Sequence, residues 1–442
     1  MRQPWPAPQA RGPVDAVVTL PGSKSLTNRY LVLAALAADV SRLRRPLRSR
    51  DTLLMAEGLR RLGGRVLEAP GEPGHGPDWI VEPGLVTGSC TVDCGLAGTV
   101  MRFLPPLAAL ARGPVTFRGD PVAGRRPMGP GIGALRALGV AVDDAGRGRV
   151  PFTVLGTGSV SGGLVRIDAS SSSQFVSGLL LSAARFDNGL EVVHEGPPVP
   201  SRPHIQMTTE VLRDAGVVVD DDEPNRWRVE PSEVFGLDVL VEPDLSNAAA
   251  FLAAAMVTGG TVYVPGWPAH TTQAGDAIRD IFDTMGGSVS LAREGITVTG
   301  PTTVHGLDID LSHAGELAPV VAAVAAVADG PSWLRGIGHL RGHETDRLAA
   351  LGTEIEARGG RVEVLADGLH IRPRPLRGGV FHTYADHRMA MAGAILGLVV
   401  PGMRVEDVGT TGKTLPDFVT RWQAMVGALT PEAPAGSRAG SR

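Results

Sequence analysis

The sequence predicts an α/β protein of two lobes, each built from three repeated units. The chain length, a phrase that recurs at nearly constant spacing, and the helix and strand patterns within each copy indicate this. At 442 residues the chain is too long for one ordinary core, so we expect two domains of about 200 residues each. Hydrophobic residues make up 43% and charged residues 20%, which indicates a globular chain rather than a disordered one.

Each copy of the repeat is an amphipathic helix that ends in glycine, followed by a Val-rich strand, a polar turn and a second strand. The copies begin LRRLGGRV, LRALGVAV, LRDAGVVV, FDTMGGSV and IEARGGRV. Glycine ends a helix readily because it adopts the left-handed backbone conformation, and the alternating hydrophobic residues after it indicate strands. The spacings between copies are 76, 77, 70 and 73 residues, measured between Gly63, Gly139, Gly216, Gly286 and Gly359. Chance similarity of common helix–strand phrases is the alternative, and the near-constant spacing argues against it.

The two ends of the chain fit the same repeat. A sixth helix ends at Gly427 without its strand pair, and the N-terminal segment VDAVVTLPG could supply a missing strand. Six units then divide three to a lobe. We expect residues 1–20 and 244–430 to form the first lobe, 21–243 the second lobe, and the Pro/Gly/Ser-rich residues 431–442 a disordered tail.

Composition excludes several classes of protein. A net charge of −4 and a pI near 6.3 argue against a general nucleic-acid binder. Cys90 and Cys94 make neither a disulfide framework nor a four-ligand zinc site, so we expect reduced thiols. No signal peptide or long apolar run is evident, which predicts a cytoplasmic protein that binds no membrane.

Three motifs combine small or hydroxyl residues with the start of a helix. PGSKSLTNRY offers Lys24, Ser25 and Arg29, and it lacks the glycines that a Walker A loop needs. CGLAGTVMRF offers Gly98, where backbone can approach a ligand, and DASSSSQF offers Ser172, Ser173 and Gln174. Free N–H groups at a helix start bind anions, although an ordinary capped helix explains each motif when it is taken alone.

Other motifs carry charged residues beside apolar helices. They contribute Arg126 in GRRPMG, His343, Glu344 and Arg347 in HETDRL, Arg388 in YADHRMAM, Lys413 in TGKTLPDF and Glu316 in GELAP. Surface salt bridges are the alternative explanation for the helix-start charges. Glu316 stands alone among apolar neighbours, which predicts a raised pKa and a role in proton transfer.

The cations of these motifs come from both predicted lobes. Partial burial of that many positive charges costs several kcal/mol each unless anions meet them, which points to two small phosphorylated substrates. No His, Asp or Glu group has metal-ligand spacing, so we expect no metal.

In order and spacing, PGSKSLTNR, LAGTVMR, RRPMG, SSQF, HETDRL, YADHRMAM and TGKTLPDF resemble the motifs of the 5-enolpyruvylshikimate-3-phosphate synthases. The resemblance covers residues 14–425. It implies a two-lobed inside-out α/β barrel with six βαβαββ repeats, three per lobe. It also implies a transferase of aromatic amino acid biosynthesis that joins phosphoenolpyruvate to the 5-hydroxyl of shikimate 3-phosphate and releases phosphate through a tetrahedral intermediate.

The resemblance also assigns roles to the motif residues. Glu316, Glu344 and Lys24 would be catalytic, with Glu316 as the acceptor of the 5-hydroxyl proton and Glu344 as the proton donor. Shikimate 3-phosphate would contact Lys24, Ser25, Arg29, Ser172, Ser173, Gln174, Ser201, Glu316 and His343. Phosphoenolpyruvate would contact Lys24, Gly98, Arg126, Gln174, Arg347, Arg388 and Lys413. No cofactor and no nucleic acid is implied, and we expect a monomer.

This chain departs from the family's pattern at three positions. Glu316 stands where Asp is common, His343 replaces the Lys of KETDR, and Leu96 replaces the Asn of GNAGT. The alternatives are an enolpyruvyl transferase acting on UDP-N-acetylglucosamine, an RNA 3′-phosphate cyclase and a non-enzymatic phosphate binder. The first uses a loop cysteine that GDPVAGRRPMG lacks, and the last needs no carboxylates in the cleft.

Overall fold

The structure of the protein, a computed structural model, describes residues 3–84 and 86–427, so the predicted tail at 431–442 lies outside the described residues. The α-helices of these residues are α1 (Lys24–Leu36), α2 (Arg50–Arg61), α3 (Gly98–Ala108), α4 (Gly129–Ala137), α5 (Gln174–Ala183), α6 (Pro203–Asp214), α7 (Leu245–Thr258), α8 (Ile278–Thr284), α9 (Ala318–Ala325), α10 (Arg347–Ala357), α11 (His387–Val399) and α12 (Phe418–Gly427). None of them is long and apolar enough to cross a membrane.

The strands of the described residues form six small sheets. They are β1 (Trp5–Pro6), β2 (Asp15–Val17), β3 (Ser41–Arg44), β4 (Arg65–Ala69), β5 (Asp78–Glu82), β6 (Cys90–Asp93), β7 (Arg112–Arg118), β8 (Ala141–Asp143), β9 (Phe152–Thr157), β10 (Gly163–Ile167), β11 (Leu190–His194), β12 (Val219–Asp220), β13 (Arg226–Val229), β14 (Asp238–Leu240), β15 (Thr261–Pro265), β16 (Ser288–Ala292), β17 (Gly295–Thr299), β18 (Asp308–Asp310), β19 (Ser332–Arg335), β20 (Arg361–Leu365), β21 (Gly368–Arg372), β22 (Gly379–Phe381) and β23 (Met403–Val405).

Five of the six sheets have four strands in one pattern. In β6-β7-β9-β8, for example, β6 pairs parallel with β7, and the hairpin β8–β9 joins antiparallel to β7. One helix connects the two parallel strands and a second helix leads to the hairpin. The connectivity is therefore βαβαββ, and the predicted α/β class and repeat are confirmed.

The repeat glycines lie where the second helix of a unit ends. Each follows the helix by two residues and has a left-handed backbone, with φ of 100°, 82°, 79°, 93° and 100° at Gly63, Gly139, Gly216, Gly286 and Gly359. A Cβ would strain this conformation, which explains why the same residue recurs at these points.

The ends of the chain complete the sheets in a way that differs in one respect from the prediction. The N-terminal strand β2 does join a sheet, but it pairs parallel with β15 and not with the sixth unit. The sixth sheet instead takes β1, which pairs antiparallel with β23. In the same manner β14 returns to pair parallel with β3 and completes the sheet of β3–β5.

Six helices form the interior of the molecule: α1, α3 and α5 pack together, and so do α7, α9 and α11. Almost every residue of these helices is buried, as their Ala, Leu and Val composition on all sides predicts. At Gly178 a Cβ would lie 2.2 Å from the main-chain oxygen of Arg102, so glycine allows α3 and α5 to approach closely.

Buried hydrophobic residues form two clusters. One runs from Leu26 to Val241, and the other combines residues 14–20 with residues 245–425. The two connecting segments lie side by side, because Ser23 N donates to Glu242 O at 2.7 Å and Asp244 N donates to Pro21 O at 3.0 Å. We therefore propose the lobe boundaries stated above, 1–20 with 244–430 and 21–243.

Candidate active site

The N-terminal ends of all six interior helices meet at one cleft between the two clusters. The cleft has about 1100 Å³ of space not filled by protein atoms, including the part open to solvent. Its walls include Lys24, Ser25, Arg102, Arg126, Ser172, Ser173, Gln174, Ser201, His204, Asp244, Ser246, Glu316, His339, His343, Glu344, Arg347, His387 and Arg388. Because each helix N-terminus carries a partial positive charge, the fold itself makes this cleft attractive to anions.

Several cationic side chains in the cleft have buried N–H groups without a partner in the described structure. They are Nε of Arg102, Nε of Arg126 and Nη1 of Arg388. Buried polar groups are normally hydrogen-bonded, so three unpartnered donors on side chains of one cleft are unusual. Guanidinium groups suit phosphate and carboxylate, which accept two parallel hydrogen bonds.

Arg347 begins α10 and is only 2% exposed. Its Nε donates to Asp386 at 2.7 Å and its Nη2 donates to Asp386 at 3.2 Å and to Glu344 at 2.9 Å. Asp386 also caps α11 by accepting from Arg388 N at 2.9 Å. One buried carboxylate therefore orients Arg347 and the helix that carries Arg388.

Glu344 is held between two cations. It pairs with Lys413 and with Arg347. Burial alone would raise the pKa of Glu344, but the charges of Lys413 and Arg347 outweigh it and hold the pKa well below its usual range. Lys413 is not part of the cleft wall itself and reaches the site through Glu344.

Glu316 lies just before α9, and the prediction that its apolar neighbours raise its pKa is wrong. Its Oε1 accepts from the Ser246 hydroxyl, and its Oε2 lies 3.6 Å from Nη2 of Arg388 and 3.7 Å from Nε2 of His204. Burial favours a higher pKa for Glu316, but the charge of Arg388 and the Ser246 hydrogen bond help to outweigh it, and the pKa falls to about 2. The polar neighbours come from distant parts of the chain, so the local sequence GELAP did not reveal them.

Lys24 and Ser25 start α1 at the cleft, with Ser23 as the helix cap. The Lys24 ammonium lies 3.9 Å from Asp51, and its main-chain N donates to Asp244 at 3.0 Å. Burial lowers the pKa of Lys24; the Asp51 carboxylate opposes this shift, and the charge of Lys413 adds to it. Lys24 is therefore a stronger acid than an exposed lysine.

Arg29, one turn further along α1, lies behind the cleft wall. Its guanidinium donates to Thr208 Oγ1 at 2.8 Å, to Ser25 O at 2.9 Å and to His204 O at 2.8 Å. Burial lowers the pKa of Arg29 to about 9. In this arrangement Arg29 supports two cleft residues, and its direct contact with a ligand stays a prediction.

The serine-rich loop before α5 lies on the cleft wall with Ser172, Ser173 and Gln174, and their contact with a ligand stays a prediction. Gln174 Oε1 accepts from Nη1 of Arg102 at 2.9 Å, which links α5 to α3. Ser201 also lines the cleft, with φ of 51°, and its N donates to Ser312 O at 3.1 Å across the two clusters. A non-glycine residue in this conformation is strained, as residues at binding sites often are.

His343 is neutral in this environment. Burial is the main cause of a pKa well below 6.5, and the neighbouring charge of Arg347 adds to it. Its Nδ1 lies 3.3 Å from Nη1 of Arg347, which can only donate. The proton of His343 therefore sits on Nε2, where it can be donated to a ligand.

Gly98 starts α3 directly against two arginines. A Cβ there would lie 2.9 Å from Nη1 of Arg102 and 3.0 Å from Nη1 of Arg126, so a side chain would displace the guanidinium groups. Gly98 thus acts by leaving room, although it does not itself form part of the cleft wall.

Sequence reasoning gave no role to several residues of the cleft, among them Asp244, Ser246, His204 and His339. EPDLSNAAAF has the same form as the other helix-start motifs, with polar residues before an all-apolar helix, and this signal could have identified Asp244 and Ser246. His339 has no such signal. Among the described residues, no group of three or more His, Cys, Asp or Glu side chains could hold a metal ion.

Known proteins resemble this chain over nearly its whole length. The sequence model of the family described as EPSP synthase (3-phosphoshikimate 1-carboxyvinyltransferase) matches residues 8–422. A 3-phosphoshikimate 1-carboxyvinyltransferase from Kocuria rhizophila is 60% identical over 431 residues, which are 96% of this chain and 97% of that protein.

Solved structures show the same fold at lower identity. An EPSP synthase from Acinetobacter baumannii is 22% identical with a TM-score of 0.79, covering 94% of this chain and 97% of that one. The enolpyruvyl transferase NikO from Streptomyces tendae is 17% identical with a TM-score of 0.73, covering 94% and 96%. With the match to the family model and the relative from Kocuria, these findings lead to one conclusion: the chain belongs to the EPSP synthase (3-phosphoshikimate 1-carboxyvinyltransferase) family.

Proposed function

We propose that this chain transfers the enolpyruvyl group of phosphoenolpyruvate to the 5-hydroxyl of shikimate 3-phosphate and releases phosphate. The observation that carries this function is the convergence of six helix N-termini and unpartnered arginine donors on a cleft that also holds Glu316 and Glu344. Cationic groups alone would suit any phosphate binder. Carboxylates placed among them add the means to move protons.

Phosphoenolpyruvate would lie against Lys24, Arg126, Arg347 and Arg388, beside Gln174. Gly98 would leave room for it, and Lys413 would act through Glu344. The open N–H groups of Arg126 and Arg388 support this placement, because a phosphate and a carboxylate offer the acceptors that they lack. The closeness of Gly98 to Arg126 supports it too, because a glycine there leaves the guanidinium group of Arg126 in place.

Shikimate 3-phosphate would lie between the serine-rich loop and Glu316. Ser172, Ser173, Ser201 and the Nε2 proton of His343 would hold its phosphate, and Lys24, Ser25 and Gln174 its ring oxygens and carboxylate, with Arg29 supporting from behind. The hydroxyl groups and the neutral His343 supply uncharged donors, so this part of the cleft is less cationic than the part that would hold phosphoenolpyruvate.

In the addition step the 5-hydroxyl oxygen would attack C2 of phosphoenolpyruvate while its proton moves to Oε2 of Glu316. The electron pair of the C2–C3 double bond would take a proton at C3. Lys24 suits the role of this donor better than Glu344, because burial lowers the pKa of Lys24 while Glu344 is ionised between two cations. The ionised Glu316 is ready to accept a proton.

In the elimination step the tetrahedral intermediate would lose a proton from C3 and its phosphate group. The Glu344 carboxylate would take the proton, the C–H electron pair would restore a double bond, and the C–O bond electrons would leave with phosphate. Arg126, Arg347 and Lys413 would stabilise the departing charge by fixed electrostatic contacts.

The test compares Glu316→Gln and Glu344→Gln with the matched control Glu356→Gln, an exposed residue of α10. Loss of one acid or base typically costs about 10²–10⁴-fold in rate. We expect both site variants to bind shikimate 3-phosphate in calorimetry while phosphate release falls by that factor, and the control to keep its full rate. Full turnover in either site variant would contradict the proposed chemistry.

A second assay separates the substrate classes. Phosphate release from phosphoenolpyruvate is measured with shikimate 3-phosphate or with UDP-N-acetylglucosamine as acceptor. Release only with shikimate 3-phosphate supports the proposal, and release only with the nucleotide sugar would replace it.

We further propose that the enzyme works as a monomer in the cytoplasm. Both lobes of one chain contribute to the walls of the cleft, which is the arrangement that a site working within a monomer requires. Light scattering at working concentration tests the first point, and cell fractionation tests the second.

A further inference from the structure

His204 faces Glu316 across the cleft from the opposite lobe. It lies in the first turn of α6, and its Nε2 is 3.7 Å from Oε2 of Glu316. The side chains of the two residues are 17% and 19% exposed, so both belong to the cleft wall and can be reached from the substrate side.

The backbone of His204 is firmly held. Its carbonyl oxygen accepts from Arg29 Nη2 at 2.8 Å, from Ser177 Oγ at 3.3 Å and from Thr208 Oγ1 at 2.9 Å. Just before the helix, the main-chain N of Ser201 donates a hydrogen bond to Ser312 O of the other lobe at 3.1 Å. These contacts hold the backbone from which the imidazole extends toward Glu316.

The two oxygens of Glu316 have different surroundings. Oε1 accepts a hydrogen bond from the Ser246 hydroxyl. Oε2 lies 3.6 Å from Arg388 Nη2 and 3.7 Å from His204 Nε2, and both separations are too long for a hydrogen bond. Oε2 is therefore the oxygen available to a substrate hydroxyl, and it is also the oxygen next to the imidazole.

A proton that arrives on Oε2 needs a further acceptor. Glu316 is stabilised as a carboxylate by the charge of Arg388 and the Ser246 hydrogen bond, so it holds a proton poorly. The groups that act on His204 are Glu316, which favours the charged imidazole, and Arg29, Lys24 and Arg388, which oppose it. Burial is the largest influence and keeps His204 neutral, so its ring can accept a proton.

We propose that His204 is the proton relay of this site: it takes from Oε2 of Glu316 the proton released by the attacking hydroxyl. This inference rests on the proposed function. The O–H bond of the acceptor breaks, its electron pair forms the new bond to C2, and the proton passes through Oε2 to a ring nitrogen of His204. The imidazolium then returns the proton to solvent after the product leaves.

The experiment measures kcat and its pH dependence in wild type, His204→Gln and His204→Asn. The control is His305→Gln, an exposed histidine of the first lobe that is not among the residues of the cleft wall. We expect kcat of both His204 variants to fall about 10- to 100-fold, less than loss of the base itself. The wild-type kcat should fall at acid pH as His204 becomes charged. In both variants kcat should depend less on pH over the same range.

A structural role for His204 predicts a different result. If the variants lose affinity for shikimate 3-phosphate in calorimetry while the fall of kcat at acid pH is the same as in the wild type, the relay is overturned. Wild-type kcat in both variants would overturn it too. If the wild-type enzyme releases no phosphate from the two substrates, the proposed function fails first; if it does and the variants match it, only the relay fails.

Discussion

Asp386 is the buried carboxylate on which the arrangement of two site arginines depends, and its replacement gives a quantitative test. It is fully buried, it accepts two hydrogen bonds from Arg347, and it caps α11 through Arg388 N. Asp386→Asn removes the charge and keeps a side chain that can cap a helix, whereas Asp386→Ala removes both functions.

The size of each effect follows from these contacts. Removing one partner of a buried ion pair costs about 3–5 kcal/mol, and because Glu344 still faces Arg347 at 2.9 Å we expect about 3 kcal/mol for Asp386→Asn. Loss of the cap adds about 1 kcal/mol in Asp386→Ala. For a lobe of this size 1 kcal/mol shifts Tm by about 2–4 °C, so Asn should lower Tm by about 6–12 °C and Ala by somewhat more.

The assay is thermal unfolding by circular dichroism, with Asp346→Asn as the matched control. Asp346 also caps a helix, α10, but its ion pair with Arg341 is more than one-third exposed on each side. An exposed pair contributes at most about 1 kcal/mol, so the control should lose no more than about 4 °C. An equal decrease of Tm in Asp386→Asn and Asp346→Asn would refute the reasoning that the burial of the Asp386–Arg347 pair makes it important for stability.

Three further predictions follow from the structure. Burial in the folded protein lowers the pKa of His343 and of His387 well below 6.5, whereas in the unfolded chain these imidazoles take up protons near pH 6.5. The free energy of unfolding should therefore decrease as pH falls below about 6.5. Urea unfolding at pH 7.5 and at pH 5.5 measures this decrease. Burial raises the pKa of Cys94 to about 12, so iodoacetamide at pH 8 should leave it unmodified in the native protein, as mass spectrometry of tryptic peptides would show. Gly98 leaves space beside Arg126, so glyphosate should inhibit competitively with phosphoenolpyruvate, and Gly98→Ala should weaken both ligands in steady-state kinetics; insensitivity of the wild type to millimolar inhibitor would contradict this.

The repeat could be predicted from sequence because its cause is local. A glycine with a left-handed backbone must follow each second helix, and the hydrophobic alternation of a hairpin must follow the glycine. The register of the chain ends was not accessible in the same way. Whether the N-terminal segment joins the sheet of β15 or that of β23 depends on contacts between residues far apart in the chain.

The candidate residues were found for a similar reason. Helix-start motifs are short, and Lys24, Ser172, Arg347 and Arg388 all lie at or beside such starts. Residues outside a motif, such as His339, were missed. Arg29 was expected to face a ligand, but in the structure most of its donors bind Thr208, Ser25 and the main chain of His204.

The sequence by itself determined the six units, the left-handed glycines and the set of cations that the two lobes contribute. Only the tertiary structure decided the charge states, because these depend on distances between groups that the chain separates widely. Glu344 and Lys413 are 69 residues apart, and Arg347 and Asp386 are 39 apart. Electrostatic interaction acts through space, so the low pKa of Glu316 and the neutral His343 could be recognised only once these neighbours were in position.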